Sequence, residues 1–336
     1  LGEAIFMGAE EFAKKGASKE AAREYYRMAV ETPSVKFADR ALFNSARQFE
    51  ELGDYTSAIQ KYEQLRNSYT GSELLPDALN NLALDYTEIG EFEKAGERYK
   101  QLHDVSTNPG NKKDALYNSY YYFKKSNAIV RTVETGLEYA EAYPGDAEAA
   151  KIFLSSTKML EKAGRKKEAA RAFASFSEKY PESPLRVEAA YRTGAYWQTE
   201  EKPQRAEEWF LKAYEFYSPA DSSESGQELY ASEGLFQAAE IARERFNEIE
   251  LTLPASRLQQ QLEEKTTLLR TLRERYSQTA AFKTDRLPQA LYRLGEIYEL
   301  YGKSWQQQEI PDVDATNRAV KMHDINERAA QIYENS

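Results

Sequence analysis

Three asparagines, Asn44, Asn81 and Asn118, stand 37 residues apart. An asparagine amide carries donors and an acceptor, so a row of three on one face can hold the N–H and C=O groups of an extended peptide whatever its side chains. The same amides can instead bond a neighbouring element and only fix its angle. Tyr117, Tyr121 and Tyr191 offer rigid rings that anchor a partner's apolar groups if they are exposed, and that are core if they are packed. Charge changes sign along the same stretch. Glu50, Glu51, Asp77 and Glu88 come first, and Lys124, Lys125, Lys151, Lys158, Lys162 and Arg192 follow, with Glu161 interrupting. The chemistry these residues support is recognition of a partner with polar asymmetry; the plainer reading is a solvated face that maintains solubility.

Nothing in the sequence points to catalysis. There is no nucleophile elbow and no phosphate-cradling Gly-rich loop. Glu200 with Glu201, and Glu263 with Glu264, are adjacent and diverge on a helix, whereas paired-carboxylate hydrolysis needs facing groups about 5 to 10 Å apart. The absence of Cys removes thiol chemistry and disulfides, and His103 and His323 are too few for a histidine metal site. No enzyme, cofactor or metal is expected. A net charge of −10 over 336 residues argues against nonspecific nucleic-acid binding. No apolar run reaches the ~18 residues of a membrane span. The chain begins Leu1-Gly2-Glu3 within a helical pattern, so the expectation is that it starts inside a longer protein, with a signal peptide or lipid anchor left open.

The elements that must position these groups are counted out along the chain. Candidate helix–helix turns fall at Gly16, Gly53, Gly90, Asn127, Gly164 and Glu201, always 37 residues apart. With each turn residue set as position 15, position 11 reads Phe12, Phe49, Tyr86, Phe123, Leu160 and Trp197. Position 20 reads Ala21, Ala58, Ala95, Thr132, Ala169 and Ala206, and position 24 reads Tyr25, Tyr62, Tyr99, Gly136, Phe173 and Phe210. A bulky ring beside a methyl lets two helices approach closely. Pro33, Pro144 and Pro181 at position 32 end the second helix.

These residues resemble the tetratricopeptide repeat (TPR), with its W-x2-L-G-x2-Y, A-x3-F and P signature. The resemblance covers residues 1 to about 218 and returns at 287–302, where "LYRLGEIYELYG" places Leu291, Gly295, Tyr298 and Gly302 in register. It implies an all-α fold: an α-solenoid of TPR-like helical hairpins with a 37-residue period. The junctions "YPESPLRVEAAYRTGAYW", "YPGDAEAA" and "YTGSELLPDALNNLALDY" are similar to those of BamD-like outer-membrane assembly lipoproteins and Tol-associated periplasmic TPR proteins. That similarity implies a periplasmic or cell-envelope adaptor, with the cytoplasm as the alternative. In the family, first-helix positions 2, 5, 6, 9, 12 and 13 face a concave groove, and an asparagine ladder lines the groove of O-GlcNAc transferase. The resemblance therefore makes Asn44, Asn81, Asn118, Arg47, Tyr117, Tyr121, Lys125, Lys151, Lys158, Lys162, Tyr191 and Arg192 candidate groove residues. The two-carboxylate clamp of chaperone-binding members wants Lys at position 5 and Asn at 9. Repeats 1 and 2 have Phe6 and Glu10, then Phe43 and Arg47, so that ligand is not expected.

The count breaks at residue 238. A Ser/Asp/Gly-rich linker at 219–227 precedes a long helical hairpin over 228–280, whose apolar positions follow 4-3 spacing through Leu235, Ala239, Ala242 and Phe246, then Leu258, Leu262, Leu269, Leu272 and Tyr276, interrupted by Lys265. This coiled-coil-like hairpin should project from the solenoid or brace it. Residues 287–336 should hold a further TPR-like first helix and, over 316–334, a terminal helix. Three readings stay open: a non-enzymatic scaffold binding an extended peptide or protein segment, a recruiting or regulatory module of a larger enzyme, or a structural chain that self-associates as a homo-oligomer through 228–280.

Overall fold

The computed structural model describes residues 2–34, 36–219, 226–252 and 254–306, together with His323 and Glu327. Among them every regular element is a helix. Most of the expected linker, and the expected terminal helix over 316–334, lie outside the described residues. The chain divides into two compact units, Leu1–Met159 and Leu160–Ser336.

The first unit pairs α1 (Gly2–Lys14) with α2 (Ser18–Glu31), α3 (Ala38–Glu51) with α4 (Tyr55–Ser68), α5 (Leu75–Glu88) with α6 (Phe92–Val105), and α7 (Pro109–Lys125) with α8 (Ile129–Ala142). Each helix packs on the next in sequence. Helix α9 (Ala149–Lys162) follows and carries the boundary between the units.

Every turn residue of the count has positive φ: Gly16, Gly53, Gly90, Asn127, Gly164 and Glu201. The reason is a recurring helix end. The residue after each turn donates its N–H to the position-11 carbonyl, as in Ala17 to Phe12, Asp54 to Phe49 and Ala128 to Phe123, at 2.9 to 3.0 Å. This Schellman closure needs a left-handed residue, which glycine supplies without strain and asparagine tolerates.

Position 20 is uniformly small and enclosed. Ala21, Ala58, Ala95, Thr132, Ala169 and Ala206 are all fully buried or nearly so. Position 11 is less uniform: Tyr86, Phe123 and Leu160 are buried, whereas Phe12 is 39% exposed.

In the second unit, α10 (Lys166–Lys179), α11 (Arg186–Thr199) and α12 (Pro203–Glu215) continue the pattern. The long hairpin is α13 (Gln227–Glu248) and α14 (Ala255–Ala281), followed by α15 (Leu287–Gln306). Helix α13 lies on α11 and α12, while α14 lies between α13 and α15. The hairpin braces its unit, and its seam residues Ala239, Ala242, Phe246, Leu269, Leu272 and Tyr276 form one core with Leu294, Ile297 and Tyr298 of α15. The seam that suggested self-association is thus buried within a single chain. Lys265, the break in the seam, is held by the hairpin itself. Its Nζ donates to the Ile249 carbonyl at the end of α13 at 2.8 Å and lies 4.7 Å from the Phe246 ring centre.

Glu207 on α12 ties the hairpin down, accepting from Arg245 of α13 and Arg275 of α14, each at 2.6 Å. Removing one partner of such a shielded pair leaves a charge uncompensated. Glu207→Ala should therefore lower stability by about 3 to 5 kcal/mol. Ala58→Leu, in the first unit, should overpack its helix pair by about 1 to 3 kcal/mol. Urea unfolding midpoints check both, and an unchanged midpoint for Ala58→Leu would contradict the register.

Candidate functional site

The first unit is built from rings that reach from one helix of a pair to the other. Phe6 meets Tyr25 at 5.2 Å and Phe43 meets Tyr62 at 5.5 Å between ring centres, in both cases edge to face. These are position 5 against position 24. Repeat 4 cannot do this, because position 24 is Gly136. Its Tyr117 packs on Tyr139 instead, at 5.8 Å.

A compensating exchange fills the space. Position 8 is small in repeats 1, 2, 3 and 6, as Ala9, Ala46, Ala83 and Gly194, but in repeat 4 it is Tyr120. A methyl added at Gly136 would stand 2.9 Å from the Tyr120 ring and 2.1 Å from Ser156 Oγ. The ring that elsewhere comes from the second helix here comes from the first.

This exchange sits at a concavity of about 480 Å³ between α7 and α9, lined by Tyr117, Tyr120, Tyr121, Lys124, Lys125, Glu148, Lys151, Ile152 and Ser155. Lys124 Nζ donates to Tyr120 Oη at 3.3 Å and to Ser155 Oγ at 3.2 Å, both neutral acceptors. Lys125 Nζ lies 4.0 Å from the centre of the Phe92 ring. Lys151 is 3.8 Å from Glu148. Three lysines and one glutamate thus line it. Tyr121 is 46% exposed at the rim.

Of the residues expected to line a groove, Tyr117, Tyr121, Lys125 and Lys151 come together here. The others have separate places. Asn81 Nδ2 donates to Tyr62 Oη at 2.9 Å, and Asn44 bonds the Tyr25 hydroxyl at the same sequence offset. Both amides therefore brace a neighbouring repeat. Asn118 is half-buried, and Tyr99 at the equivalent offset stacks on Tyr122 at 5.5 Å. Arg47 is exposed and Lys158 half-buried. In the second unit, Tyr191 packs between Phe210 and Tyr230, and Arg192 bonds Glu161 at 2.6 Å and Glu188 at 2.8 Å; Lys162 is exposed. Tyr120, Glu148, Ile152 and Ser155 were not anticipated. The glycine at position 24 signals Tyr120, and Ser155 stands at position 6 of its repeat.

Elsewhere in the first unit lies a buried acid. Asp85 is 3% exposed and its Oδ2 has no hydrogen-bond partner. Burial, reinforced by Glu50 and Glu88, pushes its carboxyl up to about 8. Burial also raises Glu50, against the opposing effects of the Tyr62 hydroxyl and Arg47.

Among known proteins, the tetratricopeptide repeat family's sequence model matches residues 40–72 and 153–183. A tetratricopeptide repeat protein from Parabacteroides merdae is 17% identical over 79% of this chain and 98% of its own, with a TM-score of 0.35. The C-terminal part of a TPR repeat-containing protein from Cytophaga hutchinsonii is 14% identical over 78% of this chain and 95% of its own, at 0.38. YrrB, a TPR protein with an unusual peptide-binding site, is 15% identical over 58% of this chain and 93% of its own, at 0.31. At such identities and scores they carry nothing about what this chain binds. No curated protein matches.

Two outcomes follow from this geometry. Gly136→Ala should destabilise the first unit by about 1 to 3 kcal/mol through overpacking, read as a lowered urea midpoint. Asp85 holds its proton more tightly folded than unfolded, so its contribution to stability should be full below about pH 4, be lost as pH rises through about 8, and level off beyond. Asp85→Asn should remove that portion of the pH dependence in chemical denaturation measured across the range.

Proposed function

With residues 40–72 and 153–183 carrying the tetratricopeptide repeat, we propose that the chain is a protein-interaction scaffold whose first unit captures an acidic segment of a partner protein. The observation that carries this reading is the concavity between α7 and α9, whose lining includes Lys124, Lys125 and Lys151 against one carboxylate, Glu148. Lys124 uses neutral hydroxyls where a paired lysine would use a carboxylate, so an incoming carboxylate gains a charge-assisted bond without displacing an existing ion pair. The exposed Tyr121 ring offers an anchor that loses little conformational freedom on binding. Chemistry of this kind recognises a short acidic peptide containing an apolar or aromatic residue. The Y-P-x-S-P type of junction supports a bacterial envelope setting for the scaffold, which fractionation of the native host tests directly.

The binding test uses fluorescence anisotropy with a capped, labelled octapeptide of alternating glutamate and tyrosine. Lys124→Glu combined with Lys151→Glu should weaken binding by at least about tenfold, since opposed charges become like charges, and raising salt should weaken the wild type more than the variant. A glutamine-for-glutamate peptide should bind the wild type poorly. Equal affinity of wild type and variant for the acidic peptide would rule out this site.

A further inference from the structure

The second unit holds a recess of about 520 Å³ in which capture of an acidic segment has no part. It lies where the long hairpin turns. Ile249, Leu251 and Thr252 of the α13–α14 loop, Lys265 of α14, and Leu300 and Lys303 of α15 are among the residues that line it. Two residues one turn apart on α14 fix the loop that forms its wall. Gln261 Oε1 accepts from the Thr252 N–H at 2.9 Å, and Lys265 Nζ donates to the Ile249 carbonyl at 2.8 Å. The next residue, Thr266, joins α14 to α15 through a 2.8 Å bond between its hydroxyl and that of Tyr301.

Lys265 makes this recess unusual. It is 5% exposed, yet among the described residues no carboxylate lies within ion-pair distance of it. A buried lysine is ordinarily paired, because an uncompensated charge is costly to enclose. The carbonyl at the end of α13 and the Phe246 ring, centred 4.7 Å away, supply only partial negative charge. Burial holds the ammonium below the usual lysine range, and Glu250, exposed on the loop, opposes this only in part. An ammonium has three N–H donors. One goes to Ile249, and among the described residues the other two have no acceptor.

We propose that this recess binds a small organic acid, whose carboxylate takes the two remaining N–H groups of Lys265 and whose aliphatic chain lies against Ile249, Leu251 and Leu300. The site is independent of the acidic-segment reading and needs none of its residues. Lys303, exposed and 4.0 Å from Glu299, adds a second positive charge to the lining. Glu250 works against the ligand, one carboxylate against two ammonium groups. The size agrees, since recesses of about 300 to 1,000 Å³ enclose small molecules. An acid is selected over its amide because only the carboxylate brings the countercharge that Lys265 lacks. The bonds from Gln261 and Lys265 already hold the loop, so binding has little left to order.

The test uses the full chain with hexanoate and its neutral isostere hexanamide as probes, in ligand-observed NMR titrations. Hexanoate should bind about tenfold tighter than hexanamide. Glu250→Gln removes the opposing carboxylate and should tighten hexanoate by about threefold, and Lys303→Met should weaken it by a like factor. Both positions are exposed, so circular dichroism should show an unchanged fold. Lys265→Met should erase the preference for acid over amide; if that variant fails to fold, the two exposed variants still decide the matter. Lys124→Glu with Lys151→Glu should leave hexanoate binding at the wild-type level, which separates this site from the one in the first unit. The proposal would be overturned by equal binding of acid and amide, by binding of neither, by hexanoate binding that ignores Glu250→Gln and Lys303→Met, or by a folded Lys265→Met that keeps the preference.

Discussion

Close helix approach at position 20 is the constraint on which the architecture depends. Six residues no larger than threonine occupy it, all shielded from water, and large rings pack around them. A methyl in that place lets two helices come near enough for the rings to reach across a pair and for Ser45 and Ser119 hydroxyls to find the Ala22 and Gly96 carbonyls of preceding helices, at 2.8 and 2.9 Å. Enlarge it and the helices separate, the rings lose their seats and buried hydroxyls lose their acceptors. The Schellman closures at each turn act with it, setting where one helix stops so that the next begins in phase.

That constraint explains why so much of the fold was legible. Turn residues, methyl positions and ring positions each answer to local rules that recur with the period, so six copies reinforce one another. The places that resisted reading are those where the answer depends on a residue far along the chain. Asn81 looks like a groove residue by its register, yet its amide meets Tyr62, nineteen positions earlier on a different helix. Arg192 suggested a free cation and is held by two carboxylates, one on its own helix and one on α9, well back along the chain. Lys265 read as a defect in an apolar seam; only the loop between α13 and α14 shows that it satisfies a carbonyl.

The candidate site was legible by halves. Four residues placed by register do meet at the concavity between α7 and α9. Their companion Tyr120 does not belong to the expected pattern, because it fills a position that is small in other repeats and matters only once Gly136 has vacated its usual ring. The second feature of the unit, the enclosed Asp85 carboxyl, has no signature in sequence at all. An aspartate on an amphipathic helix looks ordinary until its surroundings are known.

The exchange of ring and glycine between Tyr120 and Gly136 also couples two positions on different helices. Had the second-helix ring gone first, the vacancy would have cost about 3 to 5 kcal/mol. Had Tyr120 arrived first, two aromatics would have contended for one volume. Neither single change would be neutral, so Tyr120 and Gly136 are coupled, each tolerated because of the other. A repeat array modified in this manner can hold an individual recess in one repeat while its neighbours keep the common interior.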